Sequence, residues 1–132
     1  MRILDARIHG FLDIVTVLVF LLGPLVFGLG GSPAAISYTL AVVHLVMTLL
    51  TRFPMGRWKV IPFPVHGIVE LVVGLALLIL PSYAGYAPGS PARRFYLGMG
   101  AGILVVWALT AYGAQWHGAV VCSLISRFSV LA

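Results

Sequence analysis

The chain has 132 residues, 61% of them hydrophobic and 8% charged, and its eight Lys and Arg against three Asp and Glu give a formal net charge of +5. A water-soluble domain of this length needs several times as many charges to cover its surface, so water is not its main solvent. Nor does the positive balance point to nucleic acid, because the basic residues stand in short groups at the ends of apolar runs, where membrane proteins anchor themselves.

No Asp, Glu, Lys or Arg falls between Asp13 and Arg52, between Glu70 and Arg93, or between Arg94 and Arg127. About 20 helical residues cross the roughly 30 Å of hydrocarbon in a bilayer, so these stretches hold four spans. The first is predicted from about Ile8 to Phe27. Asp5 and Asp13 bracket its start and no small-x-small site follows it, so it is expected to stay as a membrane helix and not to be cleaved as a signal peptide. Gly28-Leu29-Gly30-Gly31-Ser32-Pro33 then makes a tight turn. The second span runs from about Ala34 to Thr51 and meets Arg52-Phe53-Pro54-Met55-Gly56-Arg57-Trp58-Lys59, whose cations and breakers exclude burial in lipid. A third span is expected from about Pro64 to Leu80 and, after a Pro- and Gly-rich loop, a fourth from about Arg94 to Tyr112. Residues 113–132 read as an interfacial or loosely docked tail, with Val120, Val121, Leu124 and Phe128 on its apolar side.

This layout puts Arg2, Arg7, Arg52, Arg57, Lys59 and Arg127 on one side and only Arg93 and Arg94 on the other. The positive-inside rule then places both termini in the cytoplasm, with the chain in a bacterial inner membrane. Arg52, Arg57 and Lys59 mark that topology and meet anionic lipid headgroups. The lone Cys122 has no partner for an intramolecular disulfide.

An internal repeat runs through the chain. His9-Gly10-Phe11-Leu12-Asp13 and His66-Gly67-Ile68-Val69-Glu70 share the pattern H-G-x-x-acid, 57 residues apart, and Pro24 stands to Pro81 at the same offset. The second helices, Tyr38 to Thr51 and Tyr96 to Thr110, also correspond. Repeat 1 covers about 8–52 and repeat 2 about 64–112. A two-helix unit copied in tandem keeps its orientation, which predicts an all-α, polytopic four-helix bundle: two helical hairpins related by a pseudo-twofold axis along the membrane normal. In each copy an apolar helix closes on a proline and a glycine follows, as in Leu22-Gly23-Pro24-Leu25-Val26-Phe27-Gly28 and Ile79-Leu80-Pro81-Ser82-Tyr83-Ala84-Gly85. That layout resembles the bacterial SPW-repeat membrane proteins, although Gly23-Pro24-Leu25 and Leu80-Pro81-Ser82 lack the signature Ser and Trp. The resemblance implies a small integral membrane protein and no particular chemistry.

Asp13 and Glu70 are the only acidic residues inside the spans, and an ionisable group at membrane depth is a functional candidate by default. Each follows a histidine by four residues, on the same helix face. If the pseudo-twofold axis passes near these faces, His9, Asp13, His66 and Glu70 converge into one cluster able to bind a metal, relay protons or ligate haem iron. The structural alternative pairs the acids with Arg7, Arg57 or Lys59 near the helix starts, with Gly10 and Gly67 allowing close helix contact. His44 lies near the middle of the second span, opposite Gly102 or Ile103 in the repeat, so it has no symmetric mate. It is expected to hydrogen-bond across helices, to Thr48, Ser37 or a carbonyl. Gly98 and Gly102 form a G-x-x-x-G packing surface, and Gly74 offers a similar opening on the third span.

No phosphate-cradling loop, Ser-His-Asp set or activated cysteine supports an enzyme. The expected role is helix packing, as an accessory subunit of a larger membrane complex or as a homo-oligomer, with membrane lipids and other subunits as partners. No cofactor is expected for that role. The alternatives are a transporter or channel using Asp13 and Glu70, and a subunit of electron transfer carrying haem b or a quinone.

Overall fold

A computed structural model describes residues 3–112; the tail at 113–132, with Trp116, His117 and Cys122, lies outside them. Four helices follow in order: α1 (Ala6–Val26), α2 (Gly31–Leu50), α3 (Phe63–Tyr83) and α4 (Pro91–Leu109). Each is long and apolar enough to cross a membrane, and among the described residues there is no named strand. The chain is an all-helical, multi-pass membrane protein. Its outward faces are apolar: Leu18, Leu25, Val42, Val72 and Ile79 are all exposed, as lipid-facing positions should be.

The helix ends differ from the expected ones by up to three residues, for local reasons. Asp5 caps α1, its carboxylate accepting from the backbone N–H groups of Arg7 and Ile8 at 2.9 Å. Ser90 caps α4, which starts at Pro91 and not at Arg94, because proline fits a first turn where its missing N–H is not needed. α3 runs through Pro81 to Tyr83, since a proline so close to the end forfeits a single bond. Both α2 and α4 stop before a threonine in extended conformation, Thr51 and Thr110. Gly28 (φ +61°) and Gly85 (φ +70°) take left-handed backbone angles just past α1 and α3.

α1 packs along α2 and α3 along α4, while the two hairpins touch each other far more sparingly. In the second hairpin the backbones nearly meet, because a Cβ on Gly100 would lie 2.8 Å from the Gly74 carbonyl oxygen. Val17, Phe20, Ala41, Leu77, Phe95, Tyr96 and Ile103 fill the core on the side of the two hairpin turns. Pro24 leaves the Phe20 carbonyl without its usual helical donor, and the Ser37 hydroxyl donates to that oxygen at 2.6 Å.

At the opposite end the halves interlock by backbone bonds. The N–H groups of Ile3 and Leu4 donate to the Leu109 carbonyl, and those of Val60 and Ile61 to the Leu50 carbonyl. The segment entering each odd helix thus satisfies the last carbonyl of an even one.

Candidate functional site: a buried histidine and carboxylate cluster

One turn or two inside that interlocked end, four side chains from α1 and α3 meet on the bundle axis. His9 and His66 have no exposed surface, Asp13 has 2% and Glu70 5%. The i, i+4 spacing sets each acid beside the histidine of its own helix, and the meeting of α1 with α3 sets it beside the other one. His9 Nε2 lies 3.3 Å from Asp13 Oδ1 and 3.4 Å from Glu70 Oε2; His66 Nε2 lies 3.4 Å from Asp13 Oδ2 and 3.6 Å from Glu70 Oε1. Each carboxylate therefore turns one oxygen to each imidazole, and imidazoles and carboxylates alternate around a closed ring. One ligand atom from each of the four residues falls within 4.8 Å of all the others.

The outer nitrogens are held by threonines at the ends of α2 and α4. Thr51 Oγ1 donates its proton to the Met47 carbonyl at 2.6 Å, so it accepts from His66 Nδ1–H at 2.8 Å. Thr110 Oγ1 donates to the Val106 carbonyl at 2.7 Å and accepts from His9 Nδ1–H at 2.9 Å. A hydroxyl has one proton, so this network assigns the tautomer of both rings: in neutral form, each turns the bare lone pair of Nε2 to the centre. Those Nε2 atoms, with that of His44, are buried and have no hydrogen-bond partner among the described residues. Tyr112 Oη donates to Glu70 Oε2 at 2.5 Å, fixing that carboxylate from the end of the bundle.

Aromatic rings close the cluster toward the interlocked end. Phe53, Phe63 and Tyr112 are nearly fully buried there, and the His9 ring lies 5.1 Å from that of Phe63 and 5.5 Å from that of Tyr112. A Cβ on Gly10 would clash with the Phe53 ring, and one on Gly67 with the Tyr112 ring, 2.6 Å from its nearest carbon. These glycines seat aromatic side chains that follow α2 and α4, and not another helix.

Several expectations are corrected here. Among the described residues Asp13 and Glu70 form no ion pair with Lys or Arg, and Arg7, Arg57 and Lys59 are exposed. Long cationic side chains reach back to the polar edge, which leaves the buried acids to the histidines. His44 joins the cluster, its Nε2 lying 3.5 Å from Asp13 Oδ1, whereas Thr48 donates to the His44 carbonyl and not to its ring. At 1.5 Å per residue, Asp13 is about 10 Å from the start of α1 and His44 about 9 Å from the end of α2, so an antiparallel hairpin sets them level. Gly98 and Gly102 have nothing within 4 Å of an added Cβ, and the glycine of α4 that meets α3 is Gly100.

Sequence reading also passed over Thr51, Thr110, Phe53 and Tyr112 as parts of the site. Their signal was the repeat itself, which sets one threonine and one aromatic residue at matching places after α2 and α4.

Fold and cluster together define a multi-pass membrane protein with a buried set of imidazole and carboxylate ligands. No family model, curated protein or solved structure matches the chain.

Proposed function

We propose that the chain binds a divalent first-row transition-metal ion within the membrane, through His9, Asp13, His66 and Glu70. The observation that carries this is the convergence of the four residues: one ligand atom from each falls within 4.8 Å of all the others. At 3.3–3.6 Å, the four nitrogen–oxygen contacts are longer than direct N–H···O bonds of about 2.7–3.2 Å. A four-coordinate site with metal–ligand bonds of about 2.1 Å needs ligand atoms about 3.4 Å apart, within reach of donors gathered this closely. Two supports stand beside it. Metal-bound histidines ordinarily donate their other ring N–H to a fixed acceptor, as both do here to a threonine. And two carboxylates held in a medium of low dielectric need two positive charges, which one divalent cation supplies.

Nitrogen and oxygen donors of this kind suit zinc, iron, manganese or cobalt better than soft ions. Passage of ions across the bundle fits the packing less well: beyond Asp13 and Glu70 the axis is filled by Val17, Phe20, Leu77 and Ile103. A porphyrin fits poorly too, because the carboxylates of Asp13 and Glu70 stand 3.3–3.6 Å from both imidazole nitrogens, in the space that a macrocycle would occupy between them. A packing role in a larger assembly is compatible with metal binding, and Gly98 and Gly102 leave room on α4 for a partner helix.

Titrating the purified protein in mild detergent with Co²⁺ tests the reading. One ion per chain is expected, with the intense visible bands of a four-coordinate cobalt site. Asp13→Asn and Glu70→Gln, which keep size and remove charge, should each weaken binding by about a hundredfold or more. A folded wild-type protein that takes up no stoichiometric Co²⁺, Zn²⁺, Mn²⁺ or Fe²⁺ would refute it.

A further inference from the structure

Two grooves run down the sides of the bundle where the hairpins meet, one between α2 and α3 and one between α1 and α4. The repeat relates them. Leu40, Val43, His44 and Met47 of the first correspond to Met99, Gly102, Ile103 and Val106 of the second, at the spacing that relates Thr51 to Thr110. They differ where it matters for the cluster. The α1/α4 groove is lined by no residue of the cluster, and Ile103 stands in it where the other has His44. The α2/α3 groove reaches inward to His44, His66 and Glu70 between walls that include Phe20, Val43, Val69 and Val73. His66, buried as it is, lines this groove with an Nε2 that has no partner among the described residues, as His44 does. Val43 and Val69 at its mouth are exposed on the lipid-facing side of their helices.

Toward both ends of the bundle the cluster is covered by described residues. Phe53, Phe63 and Tyr112 cover the cluster at the interlocked end, and the packed core covers it from the other. A molecule entering from the bilayer by this groove passes between apolar walls, which favours a neutral one. Size is limited as well: the groove offers about 20 Å³ to the centre of a water-sized molecule, room for about one such molecule. We propose that the α2/α3 groove admits a neutral, lipid-soluble molecule of two or three heavy atoms, of the dioxygen and nitric oxide kind, from the bilayer to an open position on the metal beside His44. This inference rests on the metal reading above, and its ligand binds without any reaction.

Nitric oxide on the Fe²⁺-loaded protein, under anaerobic conditions in lipid nanodiscs, is the probe. A ferrous nitrosyl adduct with its high-spin electron paramagnetic resonance signal is expected in the wild type. Val73→Phe fills the inner groove and should slow adduct formation about tenfold or more with iron stoichiometry unchanged. Val43→Phe, at the lipid-exposed mouth where folding is not at stake, should slow it in the same direction. Thr16→Phe fills the equivalent place in the α1/α4 groove and should leave the rate as it is. Iron that binds but forms no nitrosyl, or a nitrosyl whose rate ignores both groove variants, overturns the inference and leaves the metal reading standing. Failure to bind iron by a protein that takes up Co²⁺ or Zn²⁺ also overturns the inference alone, and failure to take up any of these ions overturns the metal reading itself.

Discussion

Thr51 and Thr110 show how a single hydroxyl sets the chemistry of a neighbour. Each closes its helix, gives its proton to the carbonyl four residues back, and so is left only as an acceptor for a histidine from the other hairpin. Removing that acceptor lets the imidazole turn or take the other tautomer, and the lone pair at Nε2 is then no longer fixed. Thr51→Val or Thr110→Val keeps the shape and should weaken Co²⁺ binding by about 10–100-fold, the usual cost of losing a partner behind a metal-bound histidine. Thr51→Ser, which keeps the hydroxyl, should restore most of the affinity, and isothermal titration of the three variants checks the series. Equal affinity in Thr51→Val and Thr51→Ser would mean that the threonine merely fills space.

Among elements, α4 separates glycines that pack from glycines that do not. An added methyl at Gly100 would sit 2.8 Å from the Gly74 carbonyl oxygen and 3.1 Å from Leu77 Cβ, both held by the backbone of α3. Gly100→Ala should therefore destabilise the protein by about 1–3 kcal/mol, as overpacking does. Gly98→Ala meets nothing and should leave stability unchanged or raise it by up to about 1 kcal/mol through better helix propensity. Reversible unfolding in mixed micelles of rising denaturing detergent measures both. The contrast also shows what could be read ahead of the structure. Gaps between charges located four helices, and H-G-x-x-acid located the cluster, because both depend on cost in lipid and on helical period alone. Which of three nearby glycines faces α3 depends on the rotation of α4, for which an almost wholly apolar helix carries little periodic signal. His44 was misplaced for a related reason: its neighbour Asp13 lies across a hairpin, and levelling the two requires helix ends that proline and threonine had shifted. The expected pairing of the acids with Arg7, Arg57 or Lys59 failed because nearness along the chain says nothing of where a long cation finds water.

For the whole molecule, most of the bonds that cross between halves gather at one end, while at the other Tyr96 Oη donates to the Pro33 carbonyl. His9 reaches Thr110 and His66 reaches Thr51, each from one hairpin to the other, and the backbone bonds of Leu4 to the Leu109 carbonyl and of Ile61 to the Leu50 carbonyl cross beside them. Packing along the helices is extensive only inside each hairpin. The bundle is thus two hairpins that share an apolar core at one end and a polar clasp at the other, in which an ion shared by Asp13 and Glu70 would bind both halves at once. Anything that binds the joined state and not the separated halves stabilises the joined state by mass action. Breaking the chain between Trp58 and Lys59, in the exposed loop before α3, should therefore leave two fragments, 1–58 and 59–132, that co-purify when made together in one membrane. Stripping metal with a strong chelator should speed their separation about tenfold, measured by exchange of a tagged for an untagged fragment in detergent. Asp13→Asn with Glu70→Gln should abolish that dependence on the chelator. Exchange at one rate with and without metal would show instead that apolar packing alone joins the hairpins, and that the clasp contributes nothing to holding them.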